Sequence, residues 1–208
     1  MDLFFGRRYT FHFGYNVFLW GFSIKKILLI SPLPPPSGGI ATWTKILLDN
    51  GLPPGYSASL VDTSFLGTRK AFDKATFSMM ELRRNWNILR QLIAMIRAEN
   101  PHIIHLNCSL SPNGVFRDLI CSMISKQFRC KLIVHYRGNV PDFPSKGVKT
   151  IAYWALLLLA KMANINLVLN QPSLAFFSSR TDHNSEILPN FIEDRIYNLI
   201  ATGSDEKN

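Results

Sequence analysis

Short continuous apolar runs alternate with longer stretches of helical period along this chain, and the alternation repeats six times. Residues 26–31 (KILLIS) form an apolar run closed by a proline-rich turn, the pattern of a strand covered on both faces. In 40–50, Trp43, Ile46 and Leu47 recur at helical spacing before Gly51, which predicts a helix with a glycine C-cap. Residues 56–63 read as a second strand. Met79, Leu82, Trp86, Leu89, Leu92, Ile93 and Ile96 then mark one apolar face of a long helix, stopped by the Asn100-Pro101 pair. The same reading gives strands at 103–107 and 131–135, helices at 114–125 and 148–162, and two further strand-like runs at 166–170 and 186–189 around a helical piece at 172–177. Such an order predicts an α/β domain, a doubly wound parallel sheet with helices on both faces.

In sheets of this kind ligands bind along the carboxyl ends of the strands, so the residues that follow each strand become the candidate site. After the first strand, Gly38 and Gly39 directly precede a helix. Their N–H groups and the positive end of the helix suit a phosphate or diphosphate, although a plain turn needs no more than the same pair. Neither GxGxxG nor GxxxxGK[ST] is present, so the standard dinucleotide and P-loop readings lose their main support. Asn107 ends the third strand with Cys108 and Ser109 behind it, small polar groups suited to a polyhydroxylated ligand. Cys108 has two histidines on nearby strands but no activating spacing, and reads as an apolar filler rather than a nucleophile. His105, set among Ile103, Ile104 and Leu106, reads as a satisfied sheet residue. The fourth strand ends His135-Tyr136-Arg137-Gly138-Asn139: a histidine for a hydroxyl or phosphate oxygen, and an arginine to neutralise charge. A structural capping role for His135 is the alternative. Asn170 and Asn190 close the last two runs, where each also fits a simple turn cap.

Charge changes the picture of partners. The 208 residues carry a net charge of +9, with eleven basic against four acidic residues in 81–150, so the body of the domain is the basic part. An anionic partner is expected: a membrane face, a phosphorylated substrate or nucleic acid, the last without any recognition motif in its support. Three cysteines without CxxC spacing fit neither a disulfide framework nor a zinc site, and point to a reducing compartment. Residues 1–24 are rich in aromatics but broken by Gly6, Gly14 and Gly21, which suits neither a bilayer span nor a signal peptide.

With these residues in place, the chain resembles the N-terminal domain of a retaining family 4 glycosyltransferase of the GT-B fold. The resemblance is carried in order by KILLISPLPPPSGGIATWT, NPHIIHLN, KLIVHYRGN, NLVLNQPS and LPNFIE, and covers about 25–193. It implies one Rossmann-like lobe of a two-lobed enzyme, with 1–24 as an extension and 194–208 as a tail or the start of a crossover. It further implies that Gly38, Gly39 and Ile40 approach the donor diphosphate and that His135 lies beside the transferred sugar. Asn107, Arg137, Asn139 and Asn170 are the expected contacts to sugar or acceptor, and Asn190 would fall at the interdomain hinge. The implied substrates are a nucleoside diphosphate sugar and a glycan or lipid-linked acceptor, with no cofactor and no metal. The family's Glu-x7-Glu motif belongs to a second domain. Glu186 and Glu193 have six residues between them and do not form it. The expectation is a cytoplasmic protein, peripheral on the inner membrane face, that transfers sugar poorly without a partner polypeptide supplying the second domain. A noncatalytic basic binding module for a membrane or anionic polymer is the alternative.

Overall fold

A computed structural model describes residues 24–64, 79–143, 148–181 and 183–190. The extension at 1–24, apart from Ile24, and the tail at 194–208 lie outside the described residues. Six strands, β1 (Lys25–Ser31), β2 (Tyr56–Asp62), β3 (Ile103–Cys108), β4 (Lys131–Tyr136), β5 (Ile165–Val168) and β6 (Ser185–Ile187), form one sheet in the order β2-β1-β3-β4-β5-β6. Every neighbouring pair is parallel. Five helices connect them: α1 (Gly39–Asn50), α2 (Met79–Glu99), α3 (Pro112–Gln127), α4 (Val148–Met162) and α5 (Gln171–Ser178). The protein is thus an α/β, Rossmann-like, doubly wound parallel sheet.

Local chemistry sets the element ends. Gly51 closes α1 at φ 75°, a left-handed conformation that glycine adopts without penalty. Ser111 caps α3 by accepting from the Gly114 N–H at 3.2 Å, with Pro112 in the first turn where its missing N–H costs nothing. Asn170 caps α5 in the same way, through the Ser173 N–H at 3.0 Å.

Strand alternation divides the interior in two. Leu28, Ile30, Ile104, Leu106, Leu132, Val134 and Tyr136 point to one face and pack with α2, α3, α4 and α5 in the main core. On the other face Leu29 and Leu60 pack with Leu48 of α1, in a smaller cluster. The helical layers are therefore unequal, because only the β1–β2 crossover runs toward one edge of the sheet while the four others run back toward the opposite edge. On the face carrying α1, Ile103, Ile133, Ile165 and Leu167 are only half-buried.

The apolar stripe expected for α2 is corrected by the packing. Only Ile88, Leu92 and Ile96 are buried, whereas Met79, Leu82 and Trp86 are exposed. Their spacing is helical, but the sheet lies beneath only the second half of the helix. The main core also holds one ion pair: the buried Arg117 guanidinium donates twice to one oxygen of Asp118, at 2.8 and 2.7 Å. Burial pushes the Asp118 carboxyl up, and Arg117 opposes that.

Candidate functional site

The carboxyl ends of β1, β3 and β4 meet the first turns of α1, and the residues there are bound together by a directional relay. The Asn107 amide donates to the Ser31 hydroxyl at 2.9 Å. Ser31 and Thr44 are hydrogen-bonded at 2.5 Å, and Thr44 donates to the Ile40 carbonyl at 2.9 Å. Because Thr44 spends its proton on Ile40, Ser31 must donate to Thr44, and every hydroxyl in the chain has a fixed role. The relay pins the start of α1 to β1 and β3. From the β2 side, Asp62 accepts from the Leu33 N–H at 3.1 Å and holds the loop that carries the glycines.

Gly38 is the residue before α1 and Gly39 its first residue, with no side chain capping the helix. A Cβ at either position would meet nothing within 4 Å, and neither has a left-handed φ. The fold itself therefore does not require glycine at these two places.

Beneath this helix end lies a stack of rings and one cation. The guanidinium of Arg137 lies 4.6 Å over the Trp43 ring, and its Nη1 is 3.2 Å from His135 Nε2. The His135 ring lies 5.6 Å from Trp43 and 5.7 Å from His105, with the two imidazoles stacked. Burial, with Arg137 and then His105 beside it, brings His135 down to about 3, against a smaller pull upward from the Leu188 backbone. Burial and Arg137 bring His105 down to about 4. At neutral pH both imidazoles are uncharged. Arg137 is itself lowered to about 10 by burial, and so remains a cation; it has no ion-paired carboxylate among the described residues.

Three polar atoms in this stack are buried without a hydrogen-bond partner: Asn107 Oδ1, His105 Nε2 and Arg137 Nε. Asn107 and His135 are register partners on adjacent strands, and His105 lies one pleat away from Asn107 on the same face. Each unpaired buried group costs about 1–3 kcal/mol, so three in one place form a site short of its partners rather than a finished core. Together they offer an N–H donor on a cation, a carbonyl acceptor, and an imidazole nitrogen that serves either way.

The sequence-derived residues divide into two groups. Asn107, His135 and Arg137 are brought against the first turns of α1, the helix that Gly38, Gly39 and Ile40 open, with His135 fully buried rather than open to the crevice. Asn139 and Asn170 join each other instead, at 3.3 Å, and the Ser173 hydroxyl bonds to Asn139 and accepts from the Val140 N–H. They stitch the loop after β4 to the start of α5. Asn190 is exposed at the end of the described residues, and Phe191 to Glu193 of the LPNFIE run lie outside them. His105 is corrected from a satisfied sheet residue to one with an unpaired nitrogen. Cys108 is fully buried and its thiol held well up by burial and by Asp118, which leaves no nucleophile there.

Trp43 and His105 are site residues that the sequence did not single out. Trp43 reads as one more apolar position at helical spacing, and a histidine inside an apolar strand makes no motif. The signal for both is positional: Trp43 stands four residues after Gly39, and His105 two before Asn107. Among the described residues no group of three His, Cys, Asp or Glu side chains could hold a metal ion. No protein-family model matches the chain, and no curated protein is significantly similar to it.

Proposed function

We propose that this chain is the acceptor-side domain of a retaining glycosyltransferase of the family 4 type, acting on a nucleoside diphosphate sugar with a glycan or lipid-linked acceptor. The observation that carries the reading is the set of unpaired atoms on Asn107, His105 and Arg137, buried beneath a helix start whose glycines leave open space. A phosphorylated sugar supplies the complement. Its phosphate oxygens match the Arg137 cation and the N–H groups of α1, and its hydroxyls match the Asn107 carbonyl and an imidazole nitrogen.

In such a transfer the bond from the anomeric carbon to the diphosphate oxygen breaks and a bond to the acceptor hydroxyl oxygen forms on the same face of the sugar. The acceptor proton passes to the departing diphosphate. Little covalent work falls to the protein, whose contribution is to hold the reactants and neutralise the charge growing on the leaving group. Arg137 and the α1 N-terminus suit that role, and His135, buried and held neutral against the Arg137 guanidinium, suits the positioning of that cation. In the family the groups that grip the nucleotide stand on a second domain, so strong turnover is expected only with such a domain present. The test is thermal shift of the purified chain against a panel of nucleoside diphosphate sugars, with and without a partner polypeptide carrying that second domain. Stabilisation by one nucleotide sugar, lost on Arg137→Ala, is the expected result. No shift with any member of the panel in either condition overturns the reading.

A further inference from the structure

We propose that the outward flank of α4 is a docking surface for an anionic lipid bilayer. A helix that is apolar all round belongs inside a protein. The buried side of α4 obeys this, with Ala152, Ala155, Leu156, Leu159 and Ala160 in the main core. The opposite side breaks it: Ile151 and Trp154 are each 64 % exposed and Leu158 49 %, and the three share one stripe with the exposed Lys161. Beside the stripe lies a shallow groove of about 450 Å³ lined by Tyr153, Trp154, Leu157, Leu158, Lys161 and Arg180. Arg180 is held flat along its edge, its guanidinium 4.2 Å over the Phe176 ring and its Nε donating to the Tyr153 hydroxyl at 3.2 Å.

Charge selects the occupant. The sequences of α4 and α5 contain no Asp or Glu, and neither Lys161 nor Arg180 is ion-paired among the described residues. A crest of Trp, Ile and Leu with cations at its margin matches an interface in which apolar groups enter the acyl boundary and cations meet phosphates. The 15 residues of α4 span about 22 Å, short of the roughly 30 Å hydrocarbon core. No described helix is long and apolar enough to cross a membrane, so α4 lies in the interface plane. A second copy pairing through the same face would bring together the Lys161 and Arg180 cations of both copies with no carboxylate from α4 or α5 to pair them. A nucleic acid backbone would find no partner in the apolar crest.

The full chain is sedimented with vesicles of phosphatidylcholine alone and of phosphatidylcholine containing one-third phosphatidylglycerol. Binding to the anionic vesicles only is expected. Trp154→Glu should weaken it about tenfold and Lys161→Gln about fivefold, while Trp86→Glu on α2 leaves it unchanged. Because Trp154 and Lys161 are exposed, these variants should retain the wild-type circular dichroism and thermal midpoint. No binding to anionic vesicles, or binding that Trp154→Glu does not weaken, overturns the proposal. So does a solution dimer abolished by Trp154→Glu, which assigns the flank to a second copy, or duplex DNA binding that the same variant abolishes. None of these readouts involves a nucleotide sugar, so their failure is separate from any failure of the glycosyltransferase reading.

Discussion

Lowering the pH from 7 to 5 should cost this domain about 4 kcal/mol through His105 and His135 alone. In the folded protein the two imidazoles are held near 4 and 3, against an ordinary 6.5 once the chain unfolds. As the pH falls below 6.5 the unfolded chain takes up protons that the folded one refuses, so stability present above 6.5 drains away until the folded values are reached. At pH 5 each histidine has lost about 1.5 units of its advantage, or about 2 kcal/mol at 1.36 kcal/mol per unit. Both together remove a large part of the 5–15 kcal/mol typical of a domain. Urea unfolding at pH 7, 6 and 5 reads this directly. With a slope of about 2 kcal/mol/M, the midpoint should fall by about 2 M in the wild type. A double variant, His105→Gln with His135→Gln, keeps polar groups of similar reach but cannot take up protons. Its midpoint should move much less over the same range, and carboxylates common to both proteins cancel in the difference. Equal midpoint losses in the two proteins would refute the assignment of two buried neutral imidazoles to the ring stack.

Three further outcomes follow from particular contacts. Asp118→Leu strands a buried arginine and should cost about 3–5 kcal/mol, while the same change together with Arg117→Met should recover most of the loss in a thermal melt. Gly114→Ala places a methyl against the Ser109 hydroxyl and 2.9 Å from the Ser109 carbonyl oxygen, next to the Ser111 cap; about 2 kcal/mol of destabilisation is expected by urea titration. Gly38→Ala and Gly39→Ala meet open space, so each should melt like the wild type within about 0.5 kcal/mol and yet lose the stabilisation by nucleotide sugar. A lowered melting point without ligand would instead give those glycines a role in the fold.

Much of the architecture was legible because strand and helix periods differ so plainly here. KILLIS and KLIVHY admit no helical face, and the Asn100-Pro101 and Gly51 stops are local steric facts. The first half of α2 misled, since Met79, Leu82 and Trp86 have the right spacing and simply overhang the sheet. Spacing reports which residues share a side of a helix, not what that side meets. At the site, strand ends located His135, Arg137 and Asn107, because anything following a parallel strand reaches the same edge. That Trp43 and His105 meet at the site depends on tertiary placement: Asn107 beside His135 sets His105 against the same rings that α1 brings Trp43 to, a relation between residues far apart in sequence. The link between Asn139 and Asn170 likewise depends on two loops meeting.

The strand order carries a cost in time. β1 lies between β2 and β3, and its pairing of Ile27 with Ile103 waits on chain made long after it. During synthesis Leu28 to Ile30 can be matched early on the β2 side alone, while β3, β4 and β5 find each other from nearby sequence. Closing the sheet therefore waits on a contact between residues far apart in sequence, the slow kind of step that leaves an apolar edge waiting. Of the described neighbouring strand pairs, β1 with β3 is the most separated along the chain, so the strand next to the glycine loop waits longest after its own synthesis for its second partner.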